Sequence, residues 1–163
     1  MKRAYDDMVY HAEIKWSKPK KYDNALDTLY EDLEDVFFYK IIARHKGNYK
    51  LLYIGKTYRQ YASDRLLNMD HKKKREELDG KFPRHDLLIS FGNLKTNRQK
   101  NVRFIDEIES LLIYIHSDSG FTHLTNKSNK WSHNILRDYQ IENKGFRADG
   151  MVKEIGLGLF YKD

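Results

Sequence analysis

Three sets of side chains in this sequence are suited to chemistry on an anionic substrate. The first is acidic. Glu107 and Glu109 lie in a strongly amphipathic stretch, and one carboxylate can hold a hard divalent cation such as Mg2+ or Mn2+ when water and phosphate fill the remaining positions. On an ideal helix each of the two lies about 100° from the centre of the apolar stripe, on opposite sides, so helix geometry leaves the choice between them open. The second set is basic. Arg65 offers a planar donor fork for a phosphate oxygen. The runs Lys72-Lys73-Lys74-Arg75 and Lys95, Arg98, Lys100, Arg103 could follow a phosphate backbone. The third set is phenolic: Tyr39 and Tyr53, each inside an apolar segment. A phenol of pKa about 10 is a poor base at neutral pH unless a cation such as Lys56 or a metal ion lies near it. Other chemistries are excluded. The chain has no cysteine, its 7 histidines show no HxxxH spacing, and neither GxxxxGK[ST] nor GxGxxG occurs.

These residues need elements to position them. Val36–Ala43 and Lys50–Gly55 are rich in β-branched and aromatic residues around a Lys46-Gly47-Asn48 turn, which predicts a hairpin. A helix is expected from a cap at Ser63 or Asp64 through Arg65–Met69 and on to Leu78, broken by Asp79-Gly80 and Pro83. Asp86–Phe91 reads as a third strand. From Asn101 to His116 the residues Phe104, Ile105, Ile108, Leu111, Leu112 and Ile115 keep a 3.6-residue period, and Gly120 ends that region. Before the hairpin, a short strand at Ala12–Trp16 and an acidic helix from Asp23 to Glu34 form an appendage. After it, a short helix near Ser132–Tyr139 and a strand within Met151–Tyr161 are expected. The predicted fold is α+β: a small three-stranded antiparallel sheet flanked by helices, with N-terminal helical and C-terminal appendages. The corresponding organisation is an appendage over 1–35, a main domain over 36–130, and an extension over 131–163 packed on it.

Phe37-Phe38-Tyr39 followed by Tyr53-Ile54-Gly55, with the two tyrosines 14 positions apart, resembles the paired signatures of the GIY-YIG endonucleases. Arg65, Glu109 and Asn126 follow in the order of that family's later motif positions, and the resemblance covers roughly Val36–Asn129. The first signature shares only its tyrosine. Four residues after Arg65, where the family often has a histidine, stands Met69; His71 falls on another part of the helix surface, and no direct role is expected of it. The resemblance implies a three-stranded antiparallel sheet with flanking helices and hydrolysis of phosphodiester bonds with one divalent ion. It favours Glu109, followed by Leu112 and Ile113, as the metal ligand. It also implies Arg65 on phosphate, Tyr39 taking the proton of the attacking water with Tyr53 assisting, and Asn126 bracing loops by hydrogen bonds, with Asn129 a weaker alternative. Lys56 would add electrostatic support, and Gly55 would permit close approach of backbone or substrate.

Composition agrees with a nucleic-acid partner. At 163 residues with 40% hydrophobic and 33% charged content, the chain has the size and make-up of one folded domain. Its +6 charge is unevenly spread: residues 36–103 hold 17 basic against 6 acidic side chains, while both flanks are slightly acidic. Lacking an apolar run of about 18 residues, the sequence predicts no membrane span, and a cytoplasmic location is expected. The reading is therefore a metal-dependent endonuclease acting on nucleic acid, with DNA the expected substrate. The alternative is a nucleic-acid-binding module of the same fold that has lost turnover. An adaptor using the acidic N-terminal helix is a third and weaker option.

Overall fold

A computed structural model describes residues 9–27, 36–57, 69–118, 124–126 and 137–157. Its elements run β1 (Tyr10–Trp16), β2 (Lys20–Lys21), α1 (Tyr22–Asp27), β3 (Val36–His45), β4 (Asn48–Lys56), α2 (Met69–Lys81), β5 (Asp86–Thr96), α3 (Val102–Asp118), β6 (Tyr139–Gly145) and β7 (Glu154–Leu157). The hairpin turns at Lys46 and Gly47, both with positive φ, as its two-residue loop requires. α3 starts where its period begins, with Asn101 as cap: the Asn101 Oδ1 accepts from the Phe104 N–H at 2.9 Å. α2 runs through Asp79-Gly80 to Lys81, past the expected break, and stops before Pro83. The Ser63 or Asp64 cap, the rest of the N-terminal helix after Asp27, Gly120, and most of the expected Ser132–Tyr139 helix lie outside the described residues. At its end, Tyr139 begins a strand instead.

The predicted fold class is not what forms. β4, β3 and β5 make the expected antiparallel trio, but they are half of a larger object. Seven strands join one mixed, curled sheet, a half-barrel in the order β4-β3-β5-β1-β6-β7, with β2 also on β5. β1 is antiparallel to β5 and parallel to β6. The missed pairings have a physical reason. β1 meets partners about 80 and 130 residues away, and local periodicity carries no information about such partners. β6 (YQIENKG) turns only Tyr139, Ile141 and Asn143 inward, too few apolar residues to read as a strand. β5 runs on to Thr96 because Gly92 makes room: a Cβ there would press on Ile14 and Trp16 of β1.

Two cores form, one on each face of the sheet. On the inner face, the α3 stripe (Phe104, Ile105, Ile108, Leu111, Leu112) packs with Ile14, Phe38, Ile42, Leu51, Ile54, Leu88 and Ile141. Each fully buried side chain of this kind contributes about 1.5–3 kcal/mol. On the outer face, Tyr39, Ile41, Ala43, Leu52, Leu87 and Ile89 meet Tyr22 of α1 and Leu78 of α2. β3 is thus covered on both sides, which is why VFFYKIIA reads as a nearly unbroken apolar run.

Lys40 is the exception in that run. It is fully buried on the inner side, its Nζ 2.5 Å from the Phe146 carbonyl and 3.4 Å from Met151 Sδ, and 4.3 Å from the centre of the Trp16 ring. The ring face favours an ammonium, but burial outweighs it and, with Arg147 nearby, pushes the amine down to about 6. His116, also buried, donates from Nδ1 to the Leu112 carbonyl and accepts the Val152 N–H at Nε2, so its neutral form is built in; burial pushes its pKa down as well. The unfolded chain holds the Lys40 proton up to its ordinary pKa and the folded chain does not. Stability therefore rises with pH between about 6 and the ordinary lysine range, by at most about 1.4 kcal/mol per unit from this group. For His116, stability is lost as pH falls through the ordinary histidine range. Urea denaturation of the full chain from pH 6 to pH 9 should show this rise, and Lys40→Met should remove most of it; an equal slope in the variant would assign the effect to other groups.

Candidate functional site

The register of the hairpin answers a question that sequence leaves open. Ile41 faces Tyr53 and Tyr39 faces Gly55, so the two tyrosines are diagonal neighbours on the outer face. Their rings stack with centroids 6.0 Å apart. A bulge at Ile41/Ile42 breaks the alternation, leaving Leu52 without a partner on β3, so that Leu52 and Tyr53, consecutive in β4, both serve the outer core while Leu51 and Ile54 serve the inner one. Gly55 is required by packing: a Cβ there would overlap the Tyr39 ring. Tyr39 is completely buried, whereas Tyr53 is half-buried.

α2 closes over this pair. His71, buried beneath the helix, shares a 2.8 Å hydrogen bond between its Nε2 and the Tyr39 hydroxyl and meets both tyrosine rings edge-on. This corrects the expectation that His71 stands apart. Spacing from Arg65 is a poor guide here, because the docking of α2 on β3 decides which histidine reaches the strand. Lys74, one turn after His71, sits 5.6 Å above the centre of the Tyr53 ring and donates to the Thr125 carbonyl at 3.2 Å. Arg65 and Asn129 lie outside the described residues.

Asn126, expected to brace loops, bonds instead to the backbone of β4. Its Oδ1 accepts the Ile54 N–H at 3.1 Å and its Nδ2 donates to the Ile54 carbonyl at 2.8 Å, while Thr125 donates twice to the Leu52 carbonyl. An amide side chain thus substitutes for a neighbouring strand on the open edge of β4.

Lys56 follows Gly55 and faces the other way, level with Phe38 of the inner core. Its ammonium bonds to Asp106 of α3 and stands 3.6 Å from Glu109 Oε2, and the two carboxylates hold its pKa up against the effect of burial. Glu109 is the more sheltered carboxylate, its side chain 20% exposed against 45% for Asp106. The two glutamates have different surroundings. Glu107 is taken by the Tyr139 hydroxyl, by Arg103 at 2.9 Å and by Arg137 at 3.8 Å; Glu109 is the one beside the end of β4.

The predicted residues Tyr39, Tyr53, Lys74, Lys56 and Glu109 therefore fall, together with His71 and Asp106, into two groups on opposite faces of one strand end. Tyr39, Tyr53, His71 and Lys74 lie outside; Lys56, Asp106 and Glu109 lie inside. Residues 53–56 of β4, with Asn126 on their edge, join the groups. The donor chemistry on the inner side fits a hard divalent cation. An ammonium is already accommodated there, and Glu109 and Asp106 supply two carboxylates one helical turn apart. Asp106 carried no sequence signal beyond its position three residues before Glu109.

The basic runs separate. Lys72 and Lys73 are exposed, but Arg75 turns back to Asp23 at 2.5 Å and to the Tyr22 ring. Arg98 packs on Tyr10, 4.5 Å from its ring centre. Lys95 lines an open hollow of about 380 Å³ on the outer face of β1, β5 and β6, shared with His11, Glu13 and Glu142. That hollow adjoins none of the tyrosines or Glu109, and its acidic side chains make it a poor seat for phosphate. No helix among the described residues is long and apolar enough to cross a membrane. Comparison with protein-family models, with curated proteins and with solved structures finds no match to this chain.

Gly55→Ala should cost about 1–3 kcal/mol through its overlap with Tyr39, measured by urea denaturation. In a Tyr39→Ala background the cost should largely vanish. A penalty that persists there would show that Gly55 is needed for its own backbone and not for the ring.

Proposed function

We propose that the chain is a divalent-cation-dependent endonuclease of the GIY-YIG type, hydrolysing phosphodiester bonds in nucleic acid, with DNA the proposed substrate and the cytoplasm the proposed location. The observation that carries the reading is the strand end at 53–56. It presents Tyr53, backed by Tyr39 and His71, on one side and Lys56 with Glu109 on the other, with Asn126 clamping the backbone between them.

In this reading each residue has one task. Glu109 holds the cation, Mg2+ or Mn2+, which when bound polarises the phosphoryl oxygen and neutralises developing charge. Tyr53, the more exposed phenol, orients the attacking water and, as the phenolate that the nearby Lys74 ammonium favours, takes its proton. This reverses the order expected of the two tyrosines, because a fully buried Tyr39 can act on water only through a neighbour. Tyr39 and His71 pack against the Tyr53 ring and fix its orientation. Lys74 and Lys56 place positive charge on both sides of the strand end, suited to the dianionic transition state. Arg65 remains the proposed phosphate ligand. Lys72 and Lys73 project from α2 into solvent as backbone contacts; Lys95, beside Glu13 and Glu142, and Arg98, packed on Tyr10, are not assigned that task.

The burial of Tyr39 also favours the second reading, a nucleic-acid-binding module without turnover, since a phenol of this kind serves packing equally well. Nicking of supercoiled plasmid with Mn2+ separates the two. The endonuclease reading expects metal-dependent cleavage that Glu109→Gln lowers on the order of a hundredfold or more and Tyr53→Phe lowers strongly, with the fold retained by circular dichroism. Lys72→Ala/Lys73→Ala should weaken binding on all sequences and reduce the salt slope by about 1 for each phosphate no longer neutralised. Salt-sensitive binding without cleavage under any divalent ion would select the binding module.

A further inference from the structure

We infer that the loop from Phe146 to Lys153 is a strap tying the two margins of the half-barrel together, and that it lifts as a unit, with the sheet still folded, when Lys40 takes up a proton.

The loop joins β6 to β7, yet it reaches across the inner side of the sheet to β4 at the opposite margin. It is fastened at three places. At its start, the Phe146 N–H donates to the Trp16 carbonyl of β1 at 3.2 Å. At its far point, the Asp149 N–H donates to the Tyr49 carbonyl at 2.8 Å and its Oδ2 accepts the Tyr49 N–H at 2.7 Å. On the return, the Val152 N–H donates to His116 Nε2 of α3 at 3.2 Å. Between these points Ala148 and Met151 join the inner core. Lys40 Nζ touches the Phe146 carbonyl, Met151 Sδ and the Phe146 ring, all on the strap, and otherwise the Trp16 ring. The strap is thus most of what separates this amine from water.

The charged or titratable groups facing Lys40 are Arg147 on the strap and His116 on α3; its cross-strand neighbours Ile54 and Ser90 carry no charge. None of these is a counter-charge. An ammonium here is desolvated and repelled by Arg147, so the amine is pushed down to about 6. Lifting the strap returns water to Nζ and takes Arg147 away, while β3 keeps its pairing with β4 and β5. The lifted form holds the proton up to the ordinary lysine range, and the closed form only up to about pH 6. Lifting therefore becomes about tenfold easier for each pH unit lost between those limits. His116 adds to this only below about pH 6.5, so the interval from pH 7 to pH 9 isolates Lys40.

Amide hydrogen exchange of the full chain, read by NMR at Tyr49, Asp149 and Val152, tests the inference. Hydroxide catalysis alone speeds exchange about tenfold per pH unit, and an opening that becomes tenfold rarer per unit cancels it. From pH 7 to pH 9 the three amides should exchange together at a nearly constant rate. Low urea should leave them unchanged while it speeds exchange in the amides of β3 and β5. Asp149→Ala should speed exchange at Val152 by about fivefold or more. Lys40→Met should bring back the tenfold rise per unit; should that variant not fold, the wild-type profile decides alone. Four results would each overturn the inference: a wild-type rate rising tenfold per unit, strap amides that follow β3 in urea, Val152 unmoved by Asp149→Ala, or a flat profile kept in Lys40→Met.

Discussion

The burial of β3 on both faces is the constraint from which the rest follows. Phe38 and Ile42 enter the core with α3, and Tyr39, Ile41 and Ala43 enter the core with α1 and α2. A strand packed on both sides cannot slip by one residue without turning its whole set of side chains over, so its register with β4 is fixed tightly. That register puts Tyr39 opposite Gly55 and diagonal to Tyr53, and it leaves the phenols and the acidic residues of α3 on different sides of the sheet.

The division matters because chemistry has to be reunited at an edge. Only where a sheet stops can side chains from both faces approach one small substrate. β4 is an edge strand, and its last residues alternate quickly: Tyr53 outward, Ile54 inward, Gly55 without a side chain, Lys56 inward. An exposed edge is normally a hazard, since its unpaired N–H and C=O groups invite other strands. Here Thr125 and Asn126 occupy those groups at one end, and Asp149 occupies those of Tyr49 at the other, donating at 2.8 Å and accepting at 2.7 Å. Among the described residues these side chains and backbone groups, rather than another strand, satisfy the edge of β4.

The local parts of this architecture were legible in the sequence and the long-range parts were not. The α3 stripe, its start at Asn101, the hairpin and the start of β5 all depend on neighbours within a few residues, and each is found where its pattern lies. The parallel pairing of Tyr10–Trp16 with Tyr139–Gly145 depends on residues about 130 positions apart, and nothing in either heptapeptide names the other. The site shows the same limit. Tyr39 and Tyr53 do meet, but Asn126 was expected on loops and bonds to β4 instead, and His71 and Asp106 could be placed only once α2 and α3 had been docked on opposite faces. A spacing rule along one helix cannot say which turn of it will cover a given strand.

Charge shows the same dependence on folding. The middle of the chain reads as a strongly basic segment, yet much of that charge is answered locally: Arg44 by Asp86 at 2.8 Å, Lys81 by Glu77 at 2.8 Å, Arg75 by Asp23. Lys40 is withdrawn from the surface altogether, and burial takes its proton near neutrality. Exposed pairs of this kind add little to stability, but they do reduce the field a polyanion meets at a distance. Steering would then come less from the segment's total than from the lysines that folding leaves exposed. Lys72 and Lys73 are such a pair, on the helix that covers the tyrosines. On the proposed reading, a field concentrated there would draw phosphate toward the strand end and away from the hollow between β1 and β6, whose rim carries Glu13 and Glu142.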